Sequence, residues 1–226
     1  MNVSVIIPTI DEAALVGRAI TSAQQAGADE VIVVDGGSAD DTAGKAESLG
    51  ARVLTAAPGR ASQQNAGAFA AQGDVLLFLH ADCQLPEFGL AEVCSRLAAS
   101  GEIVGGCFRQ HIEHPGRVFR LIEAGNLLRV RALKWAYGDQ AIFVRRKIFR
   151  SLEGFPDLPL MEDLYFMKRL KRCGSLIVIR PKLRVSARRW KERGTARQTL
   201  QNWAMLLAVH LGVPPDRLAR HYPRTT

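Results

Sequence analysis

The sequence predicts an α/β fold: a mixed, mainly parallel central sheet flanked by helices and followed by C-terminal amphipathic helices. Three observations carry it. Short apolar, β-branched runs stop at polar or glycine-containing turns; Ala- and Leu-rich stretches separate these runs; and the alternation reads β-α-β-α-β-α-β up to Leu79. With 226 residues, 47% of them apolar, the chain can bury one substantial core, so a single domain over 1–226 is expected.

Val3 to Ile7 is an apolar run stopped by Pro8, and Val31 to Val34 is another, closing at Asp35 before Gly36 and Gly37. Continuous apolar runs suit strands covered on both faces, so both read as parallel strands. Between them Glu12 to Ala26 is rich in Ala, Leu and Gln without proline, which suits a crossover helix. Asp40, Asp41 and Thr42 can cap a second helix ending near Leu49. Val53 and Leu54 form a third strand, Ala61 to Gln72 a third helix, and Val75 to Leu79 a fourth strand running into His80, Ala81 and Asp82. Beyond Gly101, Val104 to Phe108 and Ala141 to Val144 read as strands extending the sheet in mixed orientation. Pro115 to Tyr137 is basic and amphipathic; Leu160 to Arg172 opens acidic and closes basic, as a helix dipole favours. Thr195 to Leu211 is another helix, with Leu200, Trp203, Ala204, Leu207 and Leu211 on one side.

Charge is unevenly placed. Met1 to Met167 holds 15 Lys/Arg against 20 Asp/Glu, whereas Lys168 to Thr226 holds 15 against 2. Such a basic end implies an anionic neighbour: nucleotide phosphates, an acidic membrane surface or a nucleic acid. The last lacks any recognition motif or aromatic interleaving, so no nucleic-acid partner is expected. Cys83, Cys94, Cys107 and Cys173 have no C-x-x-C spacing, which argues against a zinc ribbon or a disulfide framework. Trp203 to Leu211 is too short to span a bilayer, and Met1 to Ile7 lacks the pattern of a signal peptide, so a cytoplasmic protein is expected.

In open α/β sheets ligands bind beyond the carboxyl ends of the strands, and here the polar residues fall at those ends. Pro8, Thr9, Ile10, Asp11 and Glu12 follow the first strand; Asp35, Gly36, Gly37 and Ser38 the second; Gly59 and Arg60 the third; His80 to Asp82 the fourth. Any one of these segments alone would serve as a turn. Four on one rim make a binding site. The first loop has no glycine for close approach of a pyrophosphate, which argues against a dinucleotide enzyme, and there is no Walker sequence.

Ser4-Val-Ile-Ile-Pro-Thr-Ile-Asp-Glu12, Val34-Asp-Gly-Gly-Ser-Ala-Asp-Asp-Thr42 and Phe78-Leu-His-Ala-Asp82 resemble, in order, the signatures of family 2 glycosyltransferases with the Rossmann-like GT-A fold. Gly59-Arg60-Ala61, Gln64-Asn65, Gly67, Gly138-Asp139-Gln140 and Met161-Glu162-Asp163 extend the match over most of the chain. Leu-His-Ala-Asp in place of a longer acidic motif looks like the small group labelled arsenosugar-type or carotenoid-type glycosyltransferases.

The resemblance implies a nucleotide-sugar-binding half over 1–100, an acceptor and catalytic half over 101–190, and a basic helical tail over 191–226. It implies that Pro8, Asp11 or Glu12, Asp35 and Arg60 surround the nucleoside, with Thr9, Gly36, Asn65, His80 and Ala81 in the same donor site. Asp82 matches the last carboxylate of the family's D-x-D motif and would coordinate a divalent cation, Mg or Mn. Asp163, paired with Glu162, matches the general base of inverting members, and Trp135, Gly138, Asp139 and Gln140 lie where relatives meet the acceptor. The chemistry agrees: a sugar acceptor must lose a proton while charge builds on the leaving diphosphate, and a carboxylate and a hard cation serve those two needs.

The chain departs from the family at His80, where an acid is usual two places before Asp82. No histidine lies near Ser186 to Trp190, where some relatives supply a second metal ligand; Arg188 and Arg189 stand there and suit diphosphate oxygens. His80 also leaves open a nucleotide-binding partner subunit that has lost catalysis. The basic amphipathic segments suit either packing within the protein or peripheral contact with acidic lipids, the latter fitting a lipid-linked or hydrophobic acceptor.

Overall fold

The structure, a computed structural model, describes residues 1–194, 201, 204–205, 208–209 and 212–219, with positions 189, 192, 193, 216 and 219 described by backbone alone. The first half is the expected alternation: β1 (Val3–Thr9), α1 (Val16–Gln25), β2 (Glu30–Asp35), α2 (Thr42–Ser48), β3 (Arg52–Thr55), α3 (Arg60–Ala70) and β4 (Val75–Phe78). These strands are parallel and stand in the order β3-β2-β1-β4. Alternate residues of β1 point to opposite faces, which splits the core in two. Val5 and Ile7 pack with Val16, Ala19, Ile20 and Ala23 of α1. Ile6 packs on the other face with Ala61 and Ala68 of α3 and with Phe78. Gly67 permits that approach, since a Cβ there would lie 2.5 Å from Ile6 Cγ2 and 2.9 Å from Val34 Cγ2.

The second half continues through β5 (Cys83–Gln84), α4 (Gly89–Ala99), β6 (Ile103–Ile112), α5 (Arg117–Leu133), a 3₁₀ turn (Gly138–Gln140), β7 (Phe143–Arg145), α6 (Arg146–Ser151), α7 (Glu162–Leu170), β8 (Ser175–Val185) and α8 (Arg188–Arg193). Among the described residues the sheet has eight strands, in the order β3-β2-β1-β4-β7-β6-β8-β5. β7 runs antiparallel to β4 and β6, β8 runs parallel to β6, and β5 is antiparallel to β8, so the mixed orientation expected beyond Gly101 is found.

Several elements escaped the sequence reading, β8 and α4 the longest of them. β8 opens on the apolar run Leu176 to Ile179 and then, past Pro181, buries Leu183 and Val185 in alternation with Lys182 and Arg184, so the strand runs on unseen into the basic stretch. α4 buries Leu90, Val93 and Leu97. The helix expected from Glu12 begins only at Val16, because the chain first turns through Leu15 and Val16, whose N–H groups both donate to Glu12 O. The segment expected to be helical from Thr195 to Leu211, with Trp203, lies mostly outside the described residues. Of its described members, Met205 and Val209 pack with Leu160 and Leu164. The four cysteines are free thiols. No helix among the described residues is long and apolar enough to cross a membrane.

Candidate active site

The carboxyl ends of β1 and β2 are in register, Thr9 beside Asp35, and the loops beyond them are tied together by their own polar groups. Asp35 is buried; its Oδ2 accepts from the N–H of Gly37 (3.0 Å) and Ser38 (2.9 Å), and its Oδ1 from the Ser38 hydroxyl. Asp11 sits at φ 51°, a conformation Asp tolerates better than most residues. Its N–H donates to Ser38 Oγ (2.9 Å) and its Oδ1 accepts from the N–H of Ala39 (2.7 Å). Gln63 of α3 donates from one Nε2 to both Thr9 O (2.7 Å) and Val34 O (2.8 Å), bridging the two strand ends. Gly36 is required beneath it, since a Cβ would lie 2.7 Å from Ile10 Cγ1 and 3.0 Å from Gln63 Cδ. Pro8 and Thr9 belong to β1 itself, with Thr9 buried.

Arg60 opens α3, and its Nε lies 3.5 Å from Oε1 of Glu162, which is buried at the start of α7. This pair joins the strand-end rim to the second half of the chain. Asp163, also buried, accepts from Gly138 N–H at Oδ2 (2.7 Å) and from Leu164 N–H at Oδ1 (2.7 Å). Its pKa is pushed up to about 6, chiefly by burial and then by the adjacent Glu162, against the opposing pull of Arg60 and the two backbone donors. Such a carboxyl is poised for proton transfer near neutral pH.

The Gly138–Gln140 turn lies between this carboxyl and the end of β4. A Cβ on Gly138 would overlap Nε2 of the buried His80, so the His80 ring and the turn fit only because residue 138 is glycine. Gln140 is buried; its Oε1 accepts from Arg129 Nη2 (2.9 Å) and Tyr137 N–H (3.2 Å), and Arg129 lies 4.0 Å over the Tyr137 ring. Gln110 donates to Asp139 O (3.1 Å). The half-buried Trp135 faces Lys168 Nζ at 4.9 Å.

Ala81 and Asp82 are buried beyond β4. Asp82 O accepts from Ser186 N–H (3.0 Å) where β8 ends, and the Ser186 hydroxyl accepts from Arg188 N–H (3.2 Å). Arg188 Nη2 reaches the Glu12 carboxylate at 2.9 and 3.1 Å. First loop, fourth strand end and basic C-terminal third therefore meet at one place. The Arg189 side chain lies outside the described residues. Asn65 is engaged elsewhere: its Nδ2 donates to Phe155 O and its Oδ1 accepts from Phe155 N–H, both at 2.9 Å. Among the described residues no three His, Cys, Asp or Glu side chains converge as a metal cluster.

Gln63, Arg129 and Gln110 build this site and were missed in the sequence, whereas Ser38 stands on the rim as expected. Gln63 had a signal: it is a polar residue one helical turn from Arg60. Arg129 and Gln110 had none, since the Gly138–Gln140 turn they hold belongs to another element.

The family described as "Glycosyl transferase family 2" matches residues 4–153. Comparison with curated proteins gave no match. Among solved structures, S. aureus TarS 1-349 superposes with a TM-score of 0.66 at 17% identity, covering 83% of this chain and 61% of that one. The same TarS fragment in complex with UDP-GlcNAc gives 0.65 at 17%, covering 82% and 58%. Glucosyl-3-phosphoglycerate synthase from Mycobacterium tuberculosis, in complex with Mn2+, UDP and glucosyl-3-phosphoglycerate, gives 0.58 at 20%, covering 82% and 70%. The chain thus spans about three fifths of the TarS fragment it matches, and at these identities the likeness establishes the fold.

Proposed function

Because the chain belongs to glycosyl transferase family 2, we propose that it moves a sugar from a nucleoside diphosphate sugar to an acceptor hydroxyl or carboxyl group, with inversion. The observation that carries this reading is Asp163: a buried carboxyl, raised to about 6, held by Gly138 N–H and adjoining the Glu162–Arg60 pair that reaches the strand-end rim. The nucleoside lies along that rim, against Pro8, Thr9, Asp11, Asp35, Gly36 and Arg60, and the acceptor enters by Trp135 and the Gly138–Gln140 turn.

Asp163 takes the proton of an acceptor hydroxyl as its oxygen attacks the anomeric carbon. The bond from that carbon to the diphosphate oxygen breaks on the opposite face, so configuration inverts. A base positioned in this way contributes roughly 10²–10⁴ in rate. Arg188, beside the Asp82 segment, offers guanidinium donors to the departing diphosphate. Asp82 is the carboxylate that would hold a divalent cation. Cations of the Mg type take one or two carboxylates together with substrate phosphates and water, so the buried Asp82 carboxylate fits one carried largely by the diphosphate. When bound, the cation supplies Lewis-acid neutralisation of the leaving group. The Mn2+ and UDP of the mycobacterial synthase and the UDP-GlcNAc of TarS support both parts of this reading.

The test is a thermal-shift screen of nucleoside diphosphate sugars with and without manganese, since a ligand bound only by the native state stabilises it by about 2.7 kcal/mol at a hundred times its Kd. One donor class should raise the melting temperature and then be turned over. Stabilisation without turnover, with or without acceptor, would leave a nucleotide-sugar-binding subunit; no stabilisation by any donor would refute the reading.

A further inference from the structure

Helix α5 is fastened to the protein by one face only. Phe119 and Val130 are buried, Arg120 donates to Ile112 O (2.6 Å) and His114 O (3.2 Å), and Glu123 accepts from Ile112 N–H (2.6 Å) and pairs with Arg120 (2.8 Å). Arg129 is spent on Asn126, Trp135 and Gln140.

The opposite face is apolar and open. Leu121 is 73% exposed, Leu128 69% and Val118 47%. Three rows at seven-residue spacing make up this face: Val118, Gly125 and Ala132; Leu121 and Leu128; and a margin of Arg117, Ala124 and Arg131. From Val118 to Ala132 the stripe is about 21 Å long at 1.5 Å per residue. Glu123, turned inward, is the sole acid from Arg117 to Lys134, so the outer face carries no negative charge. Arg117 and Arg131 are exposed and form no ion pair among the described residues. Beyond the end of the stripe, a surface cleft of about 320 Å³ holds Lys134 and Lys171 beside Leu133 and Ser175.

We propose that this face of α5 docks on an anionic lipid bilayer, with Leu121, Leu128 and Val118 entering the acyl boundary and Arg117, Arg131 and Lys134 meeting lipid phosphates. An ordinary solvated helix face mixes charges of both signs, whereas exposed leucines bordered only by cations match an interfacial helix on acidic lipid. A second copy of the chain fits less well, because a two-fold contact would set the cationic margin against itself. Docking brings the Gly138 turn, which follows α5 closely in the chain, to an acceptor carried in the membrane; that consequence rests on the transfer reading, and the docking does not.

Co-sedimentation of the full chain with vesicles, without donor or acceptor, tests the docking separately from the chemistry. The protein should pellet with vesicles of phosphatidylcholine containing phosphatidylglycerol, remain in the supernatant with phosphatidylcholine alone, and release at high salt. Leu121→Asp/Leu128→Asp and Arg117→Gln/Arg131→Gln should each weaken the partition at least about tenfold with melting temperatures unchanged. Should the leucine pair lower the melting temperature, the arginine pair carries the comparison. Absence of wild-type binding, or variants that bind as well as wild type, would overturn the proposal. So would a wild-type dimer in light scattering that the leucine pair dissolves without any vesicle binding, which would assign the face to self-association.

Discussion

At the residue scale the reading turns on Asp163, whose two oxygens each take one backbone N–H and whose burial holds its proton to about pH 6. Asp163→Asn should reduce kcat by about 10²–10⁴ with donor affinity near that of wild type, measured by single-turnover kinetics and nucleotide titration. Loss of affinity with turnover intact would assign the carboxylate to the donor instead. The base must be ionised, so kcat/KM should fall as pH drops below about 6. Stability moves the other way. An ordinary aspartate titrates near 3.9, so the folded state holds this proton more tightly than the unfolded state does. The resulting stabilisation is complete below about pH 4 and is lost as pH rises through about 6. Melting curves should show that decline in wild type and a smaller one in Asp163→Asn. Gly138→Ala forces the turn off the His80 ring and should lower kcat about tenfold or more by displacing the N–H that orients Asp163.

At the element scale, α3 decides how the two halves of the site fit together. Its first turn provides Arg60 for Glu162 and Gln63 for the ends of β1 and β2, and its middle provides Asn65 for the Phe155 backbone. A sequence motif containing Asn65 suggests donor binding, yet both ends of its amide are committed to the backbone of one distant residue, Phe155. Asn65→Ala should therefore destabilise the fold by about 1–3 kcal/mol, lowering the melting temperature by several degrees, while donor affinity changes little. A weaker donor at an unchanged melting temperature would return Asn65 to the donor site. α7 shows what a helix start contributes: Glu162 and Asp163, readable as ordinary first-turn acids, are instead buried against Arg60 and Gly138.

At the scale of the whole molecule, the Glu12–Arg188 pair spans 176 positions and closes the donor rim with the basic third of the chain. Arg188→Ala should weaken nucleoside diphosphate binding about tenfold, and Arg188→Lys should recover only part of it, because an ammonium cannot reproduce a guanidinium fork. Isothermal titration with the diphosphate reads both. Unchanged affinity in Arg188→Ala would confine the pair to a structural role.

Local rules determined the first half of the fold and the rim acids. Strand runs, crossover helices and polar strand ends are written in periods of two and 3.6, and Asp35, Arg60 and Asp163 fall where those periods end. Tertiary structure alone decided the rest. β8 carries its apolar run, Leu176 to Ile179, at one end only and then turns basic, and its place beside β6 comes from pairing across about seventy positions. The contact of His80 with Gly138, the hold of Gly138 on Asp163 and the diversion of Asn65 to Phe155 each join residues far apart in the chain. A side chain's neighbours there are chosen by packing, and no local pattern in the sequence records them.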